Sequence, residues 1–132
     1  MVIGQQISDA RGTSACLGNL GNICRQRGDF EQAERYMIES LAVHQQIGDR
    51  SSEARTISML GDLAMDLEEY SAAESRFQQS YEILTEIGEH HYAADALVSL
   101  GECYARLGDF ERARPLWEQA LAQYQSAGEM DQ

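Results

Sequence analysis

Residues 60–77 read LGDLAMDLEEYSAAESRF, two short amphipathic stretches on either side of an acidic break at Glu68-Glu69. Before the break, Ala54, Ile57, Leu60, Gly61, Ala64 and Leu67 follow steps of three and four, the spacing that lines one side of a helix. After it, Tyr70, Ala73, Phe77, Ser80, Tyr81, Leu84 and Ile87 resume the pattern, and no stretch alternates as a half-buried strand would. The unit is therefore predicted to be a helix A followed by a helix B, and the fold class to be all-α.

The unit recurs every 40 residues. Leu60-Gly61 has counterparts in Leu20-Gly21 and Leu100-Gly101, and Ala73 has counterparts in Ala33 and Ala113. Glu68-Glu69-Tyr70 falls on Gly28-Asp29-Phe30 and Gly108-Asp109-Phe110, while Ile87-Gly88 falls on Ile47-Gly48 and Ala127-Gly128. Self-similarity at a fixed step marks a stack of identical supersecondary units. We expect one domain over residues 1–132, with repeats at 9–48, 49–88 and 89–128 and a tail at 129–132. Residues 1–8 are expected to be the end of a truncated preceding repeat, because Ile3, Gln5, Gln6, Ile7 and Asp9 align with Val43, Gln45, Gln46, Ile47 and Asp49.

The breaks have physical causes. Gly28 and Gly108 suit the left-handed residue that ends a helix, and Asp29 and Asp109 suit the cap of the next. Gly48, Gly88 and Gly128 are predicted to end the helix B segments. Glu68 stands where the other repeats have glycine; keeping the left-handed geometry there costs about 1 kcal/mol, so a distorted turn is predicted. Pro115, inside the last helix B, is predicted to give a slight kink.

Composition agrees with a folded protein: 43% hydrophobic and 24% charged residues over 132 positions. No apolar run approaches the roughly 20 residues needed to cross a bilayer, and the first seven residues do not read as a signal peptide, so the expected compartment is the cytoplasm. Twenty-two acids against 10 bases give a formal net charge of −12, which repels phosphate backbones and anionic membranes and argues against both as partners. Cys16, Cys24 and Cys103 form no CxxC pair and are expected to be reduced thiols at or near the core.

The Leu-Gly pair and packing residue of helix A (Cys24, Ala64, Tyr104), the Gly-Asp-aromatic turn, and the alanine with its bulky partner in helix B (Ala33 with Met37, Ala73 with Phe77, Ala113 with Trp117) resemble the tetratricopeptide repeat family. The likeness is to its 40-residue form, found in kinesin light chains, spindle-orientation adaptors and bacterial signalling proteins. The resemblance implies a right-handed α-solenoid of three repeats whose concave side, lined by helix A, receives a peptide or a partner helix.

Helical rotation places Arg55, Asp62 and Asp66 opposite the apolar stripe of the middle helix A. The 40-residue step adds Asn22 and Arg25 from the first repeat, and Asp95, Glu102 and Arg106 from the third. These eight residues are the candidate binding site. Asn22 resembles the groove asparagine that hydrogen-bonds a bound peptide backbone, whereas Asp62 and Glu102 can only accept, which favours peptide amides or Lys and Arg side chains. The clamp for a chaperone tail carboxylate is not expected, since its slots fall on Gly18, Met59, Asp95 and Ser99, none of them cationic.

Other chemistry is not predicted. Adjacent His90 and His91 point apart at a helix start, His44 shares a packing slot with Leu84 and Tyr124, and the cysteines lack the spacing of a metal site. No nucleophile elbow, phosphate-cradling loop or HExxH motif is present, so no catalytic residue, cofactor or metal is expected. The aromatic residues of helix B, including Phe77, Tyr81 and Trp117, are read mostly as core. The expected function is a protein-interaction module, a segment of a larger scaffold or regulatory protein; the alternative is self-assembly through uncovered solenoid ends.

Overall fold

The computed structural model describes residues 3–130. Among them six helices follow one another: α1 (Ile3–Gln26), α2 (Phe30–Ile47), α3 (Arg50–Asp66), α4 (Tyr70–Glu86), α5 (His90–Arg106) and α6 (Phe110–Met130). Helices α1 and α2, α3 and α4, and α5 and α6 pack as pairs, and the pairs are joined through α2 against α3 and α4 against α5. The result is an all-α solenoid of three helix pairs.

The Leu-Gly motif positions these pairs. Gly21, Gly61 and Gly101 lie where the bulky residue of the following helix crosses, and a methyl added to each would meet Met37 at 3.0 Å, Phe77 at 2.7 Å and Trp117 at 2.3 Å respectively. The leucine of the motif faces the preceding pair instead. Leu60 and Leu63 pack on Ala33 and Met37 of α2, and Leu100 with Cys103 packs with Ala64, Ala73 and Phe77. Between them, Ala54, Ile57, Ile83, Leu84, Ala93 and Ala96 join α3, α4 and α5.

A buried hydroxyl strengthens two of the pairs. Ser40 donates to the Ser14 carbonyl at 2.9 Å, and Ser80, forty residues on, donates to the Ala54 carbonyl at 3.0 Å. The third pair has Ala120 in that slot.

Several local expectations are corrected. The turn at Glu68 is not distorted: Glu68 holds φ at 59°. Its hydrogen bonds, Glu68 N to Met65 O at 3.0 Å and Glu69 N to Ala64 O at 2.8 Å, match those of Gly108 and Asp109. The repeat geometry outweighs the local preference of one glutamate. Asp29, Asp49 and Asp109 cap the helices that follow them, while Glu69 and Glu89, one methylene longer, make no such bond.

Gly128 does not end α6, which continues to Met130, and α1 runs unbroken through Ser8 and Asp9. Glycine permits a left-handed residue but does not compel one, and Ser8 lacks the freedom of Gly48. Residues 1, 2, 131 and 132 lie outside the described residues. Helix α6 likewise passes Pro115 without interruption.

Cys103 is buried and Cys24 partly so, but Cys16 is exposed. Its counterparts Thr56 and Ala96 are each only 4% exposed because a preceding helix covers them; among the described residues none covers that side of α1. Leu20 and Ile23 are 42% and 47% exposed for the same reason, and at the other end Trp117 and Leu121 are 40% and 57% exposed. The core reading of the aromatic residues therefore holds for Phe77 and only in part for Trp117.

Candidate partner-binding groove

Helices α1, α3 and α5 line one continuous groove made of three adjoining clefts. The first, about 500 Å³, lies between α1 and α3 and includes Arg11, Asn19, Asn22 and Arg55, with Ser40 and His44 of α2 among its lining residues. The second lies between α3 and α5, bordered by Arg55, Asp62, Glu89, Tyr92 and Asp95. The third, lined by Arg25, Asp62, Asp66, Glu102 and Arg106, shares Asp62, Phe77 and Ser99 with the second. Arg55 borders the first two clefts and Asp62 the last two, so the clefts are contiguous.

All eight predicted residues thus lie along this surface, but several are tied to one another. Arg25 of α1 donates through Nε to Asp66 Oδ2 at 2.5 Å and through Nη2 to Oδ1 at 3.3 Å, a bidentate clamp between α1 and α3. Glu102 and Arg106 pair within α5 at 3.6 Å. Asp95 accepts from the Tyr124 hydroxyl. Burial, and then that hydrogen bond, push the Tyr124 phenol up to about 12.

Asp62 is half-buried at the centre. Burial holds its carboxyl above the usual aspartate value; Arg25 opposes the rise, while Asp66 and Glu102 add to it. A cation brought against Asp62 would relieve both the desolvation and the crowding of like charge.

His44 carries the least satisfied polar atom of the groove. The single Ser40 hydroxyl proton goes to the Ser14 carbonyl, so in the 3.2 Å contact between Ser40 Oγ and His44 Nε2 the imidazole must donate. That assignment leaves Nδ1 as an acceptor, and it is buried without a partner.

The sequence reading missed Arg11, Ser51 and Glu89. Arg11 and Ser51 lie about one turn before the window counted on helix A, and Glu89 immediately precedes α5. The signal was available: Arg11, Ser51 and His91 share one slot at the 40-residue step. Ser51 in turn donates to Glu89 at 3.0 Å, linking α3 to the start of α5. Among the described residues, no three His, Cys, Asp or Glu side chains converge to hold a metal ion, and no helix is long and apolar enough to cross a membrane.

A stack of helix pairs with an open lined groove defines the class of helical-repeat interaction domains. Tetratricopeptide repeat sequence models match residues 12–86 and again 52–126, and the chain belongs to that family. Its domains are generally protein–protein interaction modules. No curated protein sequence matches the chain. Solved structures do.

BtubC from P. vanneervenii superposes with a TM-score of 0.81 at 22% identity, over 87% of this chain and 48% of that one, so the chain spans about half the length of BtubC. The TPR domain of Arabidopsis FLU gives 0.81 at 19% identity, over 89% and 98%. Aspartyl phosphate phosphatase F from Bacillus subtilis gives 0.85 at 15% identity, over 92% and 32%. At these identities the likeness is one of fold.

Proposed function

We propose that the chain binds a peptide or partner helix along the α1–α3–α5 groove, as part of a scaffold or regulatory protein of the cytoplasm, and that it catalyses no reaction. The observation that supports this most is the continuity of the groove, in which Asn22, Arg55 and Asp62 succeed one another across α1 and α3. Asn22 offers both a donor and an acceptor to an extended backbone. The Rap protein, similar to this chain with a TM-score of 0.78 at 19% identity over 83% of this chain and 30% of that one, is complexed with competence and sporulation factor, which agrees with a partner-binding role.

The test compares the wild-type chain with Asn22→Ala/Asp62→Lys/Glu102→Lys in capture from cell lysate, followed by titration calorimetry on the captured protein. Loss of binding by a variant of unchanged circular dichroism supports the groove; equal binding refutes it. A second reading, end-to-end stacking of copies, is favoured by the exposure of Leu20 and Ile23 at one end and Trp117 and Leu121 at the other. Light scattering over a dilution series separates the two, because stacking raises the mass with concentration.

A further inference from the structure

The groove is not uniform in charge. In the α1–α3 cleft the cations Arg11 and Arg55 face one acid, Asp49, whereas the second cleft sets Asp62, Glu89 and Asp95 against Arg55 alone. A net positive cleft in a molecule of charge −12 is a local reversal, and it adjoins the unpartnered His44 Nδ1. Asp49 is partly spoken for, since its carboxylate caps α3 by accepting from Ser52 N at 3.2 Å.

Resting on the groove reading above, we propose that the α1–α3 cleft takes an aspartate or glutamate side chain of the bound segment through Arg11 and Arg55, while the stretch around Asp62 takes a lysine or arginine. The groove then reads the direction of its ligand, because reversing the peptide sets acid against acid and base against base. A guanidinium fork holds a carboxylate with two parallel hydrogen bonds, which gives the acidic contact its geometry. A side-chain carboxylate fits better than a chain terminus because the groove continues past Arg55 in both directions, so an internal segment runs through the cleft without ending in it.

The probe is an array of degenerate nine-residue peptides, N-acetylated and C-amidated, with a second set bearing free C-termini. The wild-type chain should retain amidated peptides enriched in Asp or Glu at one position and in Lys or Arg several positions away. Arg11→Glu/Arg55→Glu should weaken those peptides by about tenfold or more and erase the acidic preference while keeping the basic one. Arg11→Gln/Arg55→Gln should give an intermediate loss, and both variants should match wild type in circular dichroism. An acidic preference that survives both variants, or retention confined to free C-termini, overturns the inference and leaves the groove reading standing. Retention of no peptide overturns both.

Discussion

Gly61 lies directly beneath the ring of Phe77, so close that a Cβ on the glycine would stand 2.7 Å from Cε1 and 2.8 Å from Cζ. Phe77 is 2% exposed and sits in the cluster of Ala64, Ala73 and Leu97. Gly61→Ala should therefore lower stability by about 1–3 kcal/mol from overpacking, less the ~1 kcal/mol that alanine gains in helix propensity. Gly12→Ala, where nothing lies within 4 Å, should show the propensity gain alone. Urea denaturation of the two variants should move the midpoint in opposite directions.

Glu68 keeps a left-handed backbone that glycine occupies in the neighbouring turns. Replacing it should stabilise the chain. Glu68→Gly is expected to raise stability by about 1 kcal/mol, whereas Glu68→Ala, with its Cβ retained, should change it little. A pair of thermal melts decides the matter, and equal midpoints for the two variants would show that the turn is unstrained.

Ser80 donates to the Ala54 carbonyl and so receives its 2.7 Å contact from Ser58 as an acceptor. Ser80→Ala should cost about 1 kcal/mol, the usual net value of one buried hydrogen bond. Ser58 is only partly buried, and its hydroxyl can turn to water, which keeps the cost from growing. Chemical denaturation with an unchanged m-value is the expected result.

His44 gives the chain an acid-side sensitivity. Burial lowers its pKa below the ordinary 6.5; Arg55 acts the same way, while Asp49 and Glu53 oppose it. Between 6.5 and the folded value the unfolded chain binds more protons than the folded one, so stability is complete above about pH 6.5 and falls as pH drops below it. Asp49 is shifted too: burial acts upward on its carboxyl, but hydrogen bonds from Ser52 and the charges of His44 and Arg11 outweigh it and leave the pKa below 3.8, so its own loss comes only in stronger acid. His44→Leu, which copies the residue in the equivalent slot of α4, should flatten the melting temperature between pH 6.5 and 5. A slope identical to wild type would assign the sensitivity elsewhere.

What the sequence makes legible here is periodic. The spacing of Leu60, Gly61 and Phe77, met again at 20, 21 and 37 and at 100, 101 and 117, encodes contacts that depend only on position within a repeat. What it hides depends on neighbours. Cys16 and Leu20 occupy slots that are buried in the other two repeats, and their exposure follows from the lack of a covering helix among the described residues. The clamp between Arg25 and Asp66 spans 41 positions and two helices, and the bond between Tyr124 and Asp95 joins two more. Side chains that meet across helices are set by crossing geometry, which a one-dimensional pattern does not carry. The groove face was accessible from helical rotation, but not the pairing that leaves Arg55 and Asp62 less engaged than Arg25 and Arg106.

Each helix packs mainly on its neighbours in the chain, and links that skip a helix, such as Arg25 to Asp66 and Ser51 to Glu89, are fewer. Such a molecule unravels from its extremities, like a spring relaxing coil by coil, because an outer pair has one interface to lose and the central pair has two. Amide protons of α3 and α4 should then exchange with deuterium slowest, those of α1 and α6 fastest. A ligand lying across α1, α3 and α5 would bridge slow and fast regions, so its signature in such an experiment would be slowed exchange in α1, far from the most stable part of the chain.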